Sequence, residues 1–338
     1  MTDATPTPAG GSGRTMQAIV RDRYGSPDVL SLEDVELPPI GDEEVLVRVR
    51  AAGLDRGAWH IMAGLPYLIR VAGYGLRRPK TAGLGTELSG IIDAVGEKVA
   101  ALQPGDAVFG ACNASFAEYA AARPDQLARM PANLTYEQAA AVPVSAVTAL
   151  QALRDRGRLQ PGQRVLLIGA SGGVGTFAVQ IAKALGAHVT GVASTQKVDM
   201  VRSLGADHVI DYTQADITDG EERYNLVLDI GGNRAVSALR RVLTADGTLV
   251  LVGGEDGGRW TGGIHRQLGA MIVSLFVRQR LVTFIAKPNT DDLDTLRGLI
   301  EAGSLTPALD KVIALEQVPD AIHDLAAGRV RGKVVIAT

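Results

Sequence analysis

The sequence predicts an α/β protein in which a β-rich region is joined to a doubly wound parallel sheet. Three observations lead to this prediction. Short Val- and Ile-rich segments separated by turns fill the region from Met16 to about Ala121. Apolar strands alternate with helical patterns from about residue 164 to residue 253, and a glycine-rich turn follows the first of these strands. Strands that alternate with helices of about 10–15 residues are typical of parallel βαβ units.

The composition is that of an ordinary globular protein. Of the 338 residues, 46% are hydrophobic and 21% are charged, and a chain of this length favours two domains. The net charge of −3 gives no basic excess, so we expect neither nucleic acid nor a membrane surface as a partner. The apolar stretch Leu268–Ala286 is interrupted by Arg278 and Arg280, which predicts a buried or interfacial helix.

The N-terminal segment and the cysteine count bear on the cellular compartment. Residues 1–15 are rich in Thr, Pro, Gly and Ser and lack the apolar core of a signal peptide, so we expect a disordered leader. The single cysteine, Cys112, can form no internal disulfide and excludes a four-thiolate zinc site. These features favour a cytoplasmic location.

The pattern of elements changes near Leu134. Before it, segments such as EVLVRVRAAG and LSGIIDAVGEKV predict the strands of a small barrel or sandwich. Residues 134–157 predict a helix that ends at Gly157. In the tail, two helical segments and the strand segments DKVIAL and GKVVIAT suggest a return to the first domain. Between these regions we predict strands at Arg164–Ala170, His188–Ser194, His208–Tyr212, Asn225–Ile230 and Thr248–Gly253. We predict helices at Gly175–Leu185, Gln196–Leu204 and Arg234–Leu243.

The turn GASGGVG has the glycine spacing of a dinucleotide-binding turn. Such a turn needs one glycine for the sharp bend, one for close approach to a pyrophosphate and one for helix–strand packing. The pyrophosphate then lies on the N–H groups at the positive end of the following helix. We therefore predict cofactor contacts from Gly169, Ser171, Gly172, Gly173, Val174 and Gly175.

The end of the second strand of this region indicates which dinucleotide binds. An NAD site usually has Asp or Glu there to bond the ribose 2′-hydroxyl, whereas this chain has Ser194 and Thr195, followed by Lys197. A carboxylate would repel a 2′-phosphate, and hydroxyls with an ammonium would bind it. These residues favour NADP(H). Alternatively, Ser194 caps the next helix and Lys197 is a solvated charge.

Five segments together resemble a known family: GASGGVGTFAVQIAKALGA, LGTELSGIIDAVG, LQPGDAVFG, SFAEYA and SLGADHVIDY. They are similar to the zinc-independent quinone oxidoreductase (zeta-crystallin-like) branch of the medium-chain dehydrogenase/reductase superfamily. The resemblance implies a GroES-like catalytic domain formed by residues 16–140 and 287–338. It implies a Rossmann domain, residues 141–286, inserted between them, with the active site in the interdomain cleft. It also implies a homodimer, formed through an edge strand near Thr248–Val252 and the apolar helix after it.

The positions where zinc-dependent relatives bind zinc are changed in this sequence. The segment AAGLDRGAWH has no cysteine, and Thr86 stands where the resemblance places a histidine, next to Glu87. A catalytic zinc needs about three protein ligands, and His60 with Glu87 does not make that set. We expect no metal, and we expect His60 to be a packed or surface histidine.

Chemistry without a Lewis acid favours conjugated acceptors. When hydride adds to a quinone or an α,β-unsaturated carbonyl, negative charge delocalises onto oxygen, where hydrogen-bond donors stabilise it. We therefore expect NADPH-dependent reduction of a small quinone or enone. Two alternatives stay open. One is an enoyl-thioester reductase, with the basic stretch Gly75–Lys80 at the cleft entrance. The other is a catalytically weak NADPH-binding protein that acts as a redox sensor.

Two residues are candidates for catalysis. Tyr67 falls where the resemblance places a tyrosine beside the nicotinamide, and its hydroxyl could donate to the developing oxyanion; a tyrosine packed at a loop edge is the alternative. Relatives have VNP and then an aspartate, whereas this chain has LDRGA. Asp55 therefore replaces an asparagine, which keeps an acceptor but loses the amide donors. Asp55 could contact substrate or ribose, or lie at the surface.

The resemblance also implies further cofactor contacts. Thr148 lies on the nicotinamide side, and Tyr212 either approaches the 2′-phosphate or simply ends its strand. Lys333 begins the last strand near the cofactor, or is a surface charge. Glycines follow two later strands, at the carboxyl ends that line the ligand crevice of a parallel sheet. These glycines are Gly231, Gly232, Gly253 and Gly254.

Overall fold

The computed structural model describes residues 13–254 and 258–338, which form two large sheets and a separate two-stranded one. Most of the predicted leader, residues 1–12, lies outside the described residues. Thr15 already belongs to the first strand, so the predicted leader is too long by that residue.

The N-terminal half is β-rich, as predicted. Its strands are β1 (Thr15–Val20), β2 (Ser31–Glu36), β3 (Val45–Leu54), β4 (Glu87–Val95), β5 (Ala107–Ala111), β6 (Tyr119–Ala122) and β7 (Leu127–Arg129). The long strand β3 is central, because it pairs with β4 along most of its length and also with β6. Its buried Val45, Val47 and Val49 pack in the core of this domain. Two helices follow β3: α1 (Arg56–Ala63) and the short α2 (Tyr67–Ile69).

The second large sheet is fully parallel and has six strands in the order β10-β9-β8-β11-β12-β13. This order is that of the doubly wound dinucleotide-binding fold, in which the strand order reverses next to the first strand. Its strands are apolar and buried because helices cover both faces. They are β8 (Arg164–Ile168), β9 (His188–Ala193), β10 (His208–Asp211), β11 (Tyr224–Asp229), β12 (Leu243–Leu251) and β13 (Arg280–Thr283).

Most of the remaining helices cover the parallel sheet or connect the two domains. The remaining helices are α3 (Tyr136–Ala140), α4 (Pro143–Leu150), α5 (Gly173–Ala184), α6 (Val198–Ser203), α7 (Val236–Arg241), α8 (Gly258–Thr261), α9 (Ile264–Ser274), α10 (Thr290–Glu301) and α11 (Val318–Ala326). Helix α11 instead packs in the core of the β-rich domain, and α3 packs against β3 and β4. The predicted single helix over 134–157 is therefore divided into α3, α4 and a wide helical turn at Gln151–Arg156. Pro143 explains the division, because it has no N–H to continue α3 and suits the first turn of a new helix.

The tail returns to the β-rich domain. Strands β14 (Leu309–Ala314) and β15 (Lys333–Ala337) are parallel to each other, and β15 pairs antiparallel with β3. The first large sheet thus runs β14-β15-β3-β4-β5-β7, with β6 also on β3. The predicted domain boundary at residue 287 would place α10 in the GroES-like domain. Its Leu293, Leu296 and Ile300 instead pack in the same core as α4 and α5.

The predicted edge strand near Thr248–Val252 is wrong. That segment lies in β12, which is covered on both sides by β11 and β13, so β13 is the edge of the parallel sheet. The apolar stretch Leu268–Ala286 is not the single helix that the sequence predicts, and this is why β12 is not the last strand of the sheet. It instead contains most of α9 and all of β13, and no helix in residues 13–254 or 258–338 could cross a bilayer.

Candidate cofactor cleft and active site

A cleft of about 790 Å³ lies where the two large sheets meet. One wall is formed at the carboxyl ends of the parallel strands β8, β9 and β11, where doubly wound folds bind ligands. The other wall comes from α1, the start of α4 and the tail. Several predicted cofactor residues line this cleft: Thr148, Gly169, Ser171, Gly172, Gly173, Val174, Ser194, Lys197, Tyr212, Gly231 and Lys333.

The glycine turn brings the start of α5 to the cleft. Gly169 has φ +87°, a backbone conformation that glycine adopts without strain. A Cβ at Gly175 would lie 2.1 Å from the Gly169 carbonyl oxygen, so only glycine lets α5 pack this closely on β8. Gly175 itself does not line the cleft; it lies beneath the turn.

The first N–H groups of α5 are suited to an anion. Gly172 occupies the N-cap position of α5 and makes no side-chain capping bond, so no side chain competes for these donors. The helix dipole adds a positive potential at the same place. This geometry fits the pyrophosphate of a dinucleotide.

The tail fixes the turn from the opposite side. The backbone N–H of Gly332 donates to the Ser171 carbonyl at 2.9 Å, and Gly332 and Gly172 form an isolated parallel bridge. Gly332 has φ +76°, and a Cβ there would lie 2.3 Å from the Ala308 carbonyl oxygen. The two domains are therefore joined directly at the predicted phosphate site.

The residues at the end of β9 differ in their placement. Ser194 and Tyr212 line the cleft, with Tyr212 54% exposed. Ser194 precedes a single helical turn but makes no side-chain capping bond, which leaves its hydroxyl for a ligand. Thr195 points elsewhere, because its hydroxyl donates to the Asp211 carboxylate at 2.5 Å.

Lys197 is not a freely solvated charge. Its ammonium donates to the carbonyl oxygens of Gly328 and Val330 at 3.2 and 2.9 Å, in the loop that precedes β15. The pKa of Lys197 is lowered, first by burial and then by the like charge of Arg331. Arg331 is a cation that our sequence analysis missed; only the approach of the tail to β9 reveals it.

The opposite end of the cleft holds Asp55, whose carboxylate already has two donors. One oxygen accepts from the backbone N–H of Ala58 at 2.9 Å, which caps α1, and the other accepts from the hydroxyl of Thr86. Thr148 donates to the Val144 carbonyl at 2.7 Å. His60 also lines the cleft, and its Nδ1 lies 2.8 Å from the Leu65 carbonyl oxygen.

Comparisons with known proteins agree with this architecture. A family model described as alcohol dehydrogenase GroES-like domain matches residues 41–150, and one described as zinc-binding dehydrogenase matches residues 204–336. The NAD(P)H oxidoreductase RTN4IP1, mitochondrial, of Bos taurus is 32% identical over 95% of this chain and 89% of its own length. The quinone oxidoreductase of Pseudomonas aeruginosa is 32% identical over 93% of this chain and 97% of its own length. The chain belongs to the quinone oxidoreductase branch of the medium-chain dehydrogenase/reductase superfamily.

Two further comparisons support membership of this branch. The NADPH-dependent alkenal/one oxidoreductase, chloroplastic, of Arabidopsis thaliana is 30% identical, with coverage of 96% of this chain and 80% of the relative. The solved quinone oxidoreductase from Coxiella burnetii superposes with a TM-score of 0.86 at 27% identity, with coverage of 96% and 100%. The GroES-like domain and the Rossmann sheet predicted from the sequence are thus confirmed.

In this chain, a buried ion pair occupies the region where the sequence resemblance places metal ligands. Glu87 and Lys333 are 0% and 1% exposed, and the Lys333 ammonium contacts the Glu87 carboxylate and donates to the Leu54 carbonyl at 3.0 Å. The second oxygen of Glu87 accepts from the backbone N–H of Val144 at 2.7 Å. Lys333 is therefore not a surface charge, which was one of our two expectations for it.

The donor set around Glu87 does not fit zinc. Burial raises the pKa of Glu87, and Lys333 opposes this shift. The nearby thiol of Cys112 is buried, and its pKa is raised to about 12, chiefly by burial and then by the charge of Glu87. Nowhere in the described part of the chain do three His, Cys, Asp or Glu side chains come together as a metal site.

Some predicted site residues do not line the cleft. Gly253 and Gly254 support neighbouring backbone: a Cβ at Gly253 would lie 2.0 Å from the Ile230 carbonyl oxygen, and Gly254 packs against Gly263. Tyr67 lies on α2 with its ring against Trp260, 5.1 Å between centroids, and under the guanidinium of Arg70. This geometry does not support a catalytic role for Tyr67, which stays a prediction.

Tyr67→Phe tests that role directly. We expect kcat and KM to stay within about twofold of wild type, because the hydroxyl is outside the cleft and the ring contacts are kept. Tyr67→Ala should instead lower Tm, since it removes ring contacts of about 0.5–1.5 kcal/mol each. Steady-state kinetics and thermal unfolding of both variants decide the matter. A large loss of kcat in the Phe variant alone would restore Tyr67 as a donor to the substrate.

Proposed function

We propose that this chain is an NADPH-dependent oxidoreductase that reduces quinones or α,β-unsaturated carbonyls without a metal. The observation that carries the proposal is the cleft of about 790 Å³, which brings the uncapped start of α5 together with Ser194 and Lys197. Relatives named as an alkenal/one oxidoreductase and as a quinone oxidoreductase support the same acceptor class.

The bound cofactor supplies the hydride, and the protein supplies position and charge. In this proposal the amides at the start of α5 hold the pyrophosphate. Ser194, Lys197 and Tyr212 face the 2′-phosphate, and Arg331 adds a positive charge beside them. Thr148 and Gly231 border the nicotinamide side of the cleft. Asp55 is the one acid among the described residues that line the cleft.

Asp55 fits a positioning role in this proposal. Its oxygens already accept from Ala58 and Thr86, so it holds the start of α1 and the Thr86 side chain at the edge of the cleft. A direct contact with substrate or ribose stays a prediction.

The metal-free part of the proposal rests on chemistry at Glu87. Glu87 is fully buried and already accepts from an ammonium and a backbone N–H, so a cationic partner occupies the place that a metal ion would need. Conjugated acceptors suit such a site, because their developing charge delocalises and needs only hydrogen-bond donors. Elemental analysis of the purified protein tests this part; stoichiometric zinc would contradict it.

Lys197→Met tests the cofactor choice. Loss of a charge-assisted hydrogen bond is worth about 1.5–3 kcal/mol, so the Kd for NADPH should rise by about 10- to 100-fold, while that for NADH changes little. Kd values from fluorescence titration and kcat/KM with a simple p-quinone and a simple enone provide the measurement. Lys98→Met, on an exposed lysine paired with Asp42, is the matched control. Equal losses for NADPH and NADH would contradict the assignment of Lys197 to the 2′-phosphate.

The position of the basic stretch bears on the enoyl-thioester alternative. The basic stretch at residues 75–80 does not line the cleft, and Gly75 is held by the hydroxyl of Tyr24, which donates to its carbonyl at 2.8 Å. The redox-sensor alternative predicts NADPH binding without turnover, so the assay with p-quinone and enone separates it from an enzyme.

A homodimer is the proposed assembly, with α9 and the edge strand β13 as its interface. Apolar side chains on and just after α9 are exposed and do not line the cofactor cleft: Leu268, Met271, Ile272, Leu275 and Phe276, with 49–82% exposure. Two copies of an edge strand can pair antiparallel about a two-fold axis, which would cover this face. Sedimentation velocity measures the assembly, and a monomer at micromolar concentration would contradict it. We also propose a cytoplasmic location, although two relatives are named mitochondrial and chloroplastic.

A further inference from the structure

A second cavity, of about 730 Å³, lies at the amino ends of the parallel strands, on the opposite side of the sheet from the cofactor cleft. It is lined by residues at or near the amino ends of β8, β11, β12 and β13, whereas the cofactor cleft lies at carboxyl ends. A smaller cavity adjoins it, with Ala245 and Arg278 lining both, and we describe the two adjoining cavities together. We call this the amino-edge groove.

The amino-edge groove is strongly basic in a chain whose net charge is −3. Its arginines come from three separate segments of the chain, and Asp246 is the one acid among its lining residues. None of these arginines has an ion pair with a carboxylate within the described residues, and the Nε of Arg240 donates to the neutral amide of Gln279. The arginines are Arg158, Arg240, Arg241, Arg278 and Arg280.

The groove holds like charges close together around Arg280, and the backbone of Arg158 is strained. Arg280 is partly buried, and its pKa is lowered, first by burial and then by the like charges of Arg158 and Arg156. Arg158 has φ +52°, a conformation that a residue with a side chain adopts at a cost of about 1 kcal/mol or more. An anion in the groove would neutralise this repulsion, and arginine forks are the best protein donors to phosphate oxygens.

We propose that the amino-edge groove binds a small phosphate-bearing polyanion. Its volume is much larger than one orthophosphate needs, and arginines reach it from several sides, so a ligand with two or more linked phosphates fits better than a single phosphate. Free pyrophosphate and the diphosphate end of a nucleotide share this chemistry. The groove lies across the sheet from the nicotinamide cofactor, so both ligands bind at the same time.

Pyrophosphate binding in the presence of saturating NADPH tests the proposal, because the coenzyme then blocks the phosphate site at α5. Isothermal titration at constant ionic strength should give one pyrophosphate per chain, weaker binding of orthophosphate, and a rise in Tm on addition of pyrophosphate. Parallel titrations with pyrophosphate and ADP distinguish a free inorganic ligand from a nucleotide. Sedimentation in the same buffer excludes a change of assembly as the source of heat.

Two variants separate binding from folding. Arg280→Gln should weaken pyrophosphate binding about tenfold or more through the loss of charge-assisted bonds. Arg158→Gly should weaken it similarly while leaving Tm equal or higher, because glycine tolerates the positive φ. Arg48→Gln, on an exposed position of β3, removes the same charge elsewhere and should change nothing. No measurable binding at millimolar pyrophosphate, or equal binding by wild type, Arg280→Gln and Arg158→Gly, would overturn the proposal.

Discussion

Lys333→Met should destabilise the protein at pH 7 by about 3–5 kcal/mol, because it leaves the buried carboxylate of Glu87 without its counter-charge. Wild-type Glu87 is fully buried and has two donors, Lys333 and the backbone of Val144. The variant keeps the backbone donor but loses the ammonium. Urea unfolding followed by circular dichroism gives the difference in the free energy of unfolding.

The destabilisation caused by Lys333→Met should depend on pH, because the carboxyl of Glu87 is buried. Burial raises the pKa of Glu87, and Lys333 lowers it, so removing Lys333 raises that pKa further. A carboxyl whose folded pKa is raised contributes stability that is present below its unfolded pKa and is lost as pH rises through the folded pKa. The free energy of unfolding of Lys333→Met should therefore fall more steeply than that of wild type as pH rises above the unfolded pKa of a glutamate.

The double variant Lys333→Met/Glu87→Gln provides the control. Glutamine is neutral and its oxygen can still accept from Val144, so this variant should recover most of the lost stability and the added pH dependence. If the single and double variants were equally unstable at all pH values, the buried charge would not be the cause of the loss.

Gly175→Ala should reduce kcat/KM with NADPH by about 100-fold. A Cβ at this position would lie 2.1 Å from the Gly169 carbonyl oxygen and 2.7 Å from backbone atoms of Ala170, so α5 must move away from β8. A displacement of about 1 Å shifts the N–H groups that hold the pyrophosphate, and misplacement of that size costs about two powers of ten. The overpacking should also lower stability by about 1–3 kcal/mol.

Gly298→Ala is the matched control for this variant. Gly298 lies within α10, and a Cβ there meets nothing within 4 Å. Alanine should raise stability by about 0.5–1 kcal/mol and leave kcat/KM unchanged. NADPH titration of folded Gly175→Ala, verified by circular dichroism, separates lost binding from lost fold. Wild-type affinity in that variant would contradict the role assigned to the turn.

The active-site end of the cleft was harder to predict than the cofactor turn. The motif GASGGVG is local, because each glycine is required by the backbone geometry of the adjacent strand or helix. In the structure Gly169, Gly172 and Gly173 line the cleft. Tyr67 was assigned by position in the chain alone. Its ring instead packs against Trp260, a residue almost two hundred positions away whose approach no local pattern indicates.

Hydrophobic periodicity and glycine spacing are local consequences of burial and backbone geometry, so the two-part architecture, the parallel sheet and the glycine turn could be predicted from the chain alone. Tertiary structure alone decided which strand is the sheet edge, how the tail reaches the cleft and which charges meet. The pairs Lys333–Glu87 and Gly332–Ser171 join distant segments, and Arg331 reaches Lys197 only because β15 returns to β3. Such contacts depend on how the two domains pack against each other, which local patterns of hydrophobic residues and glycines do not predict.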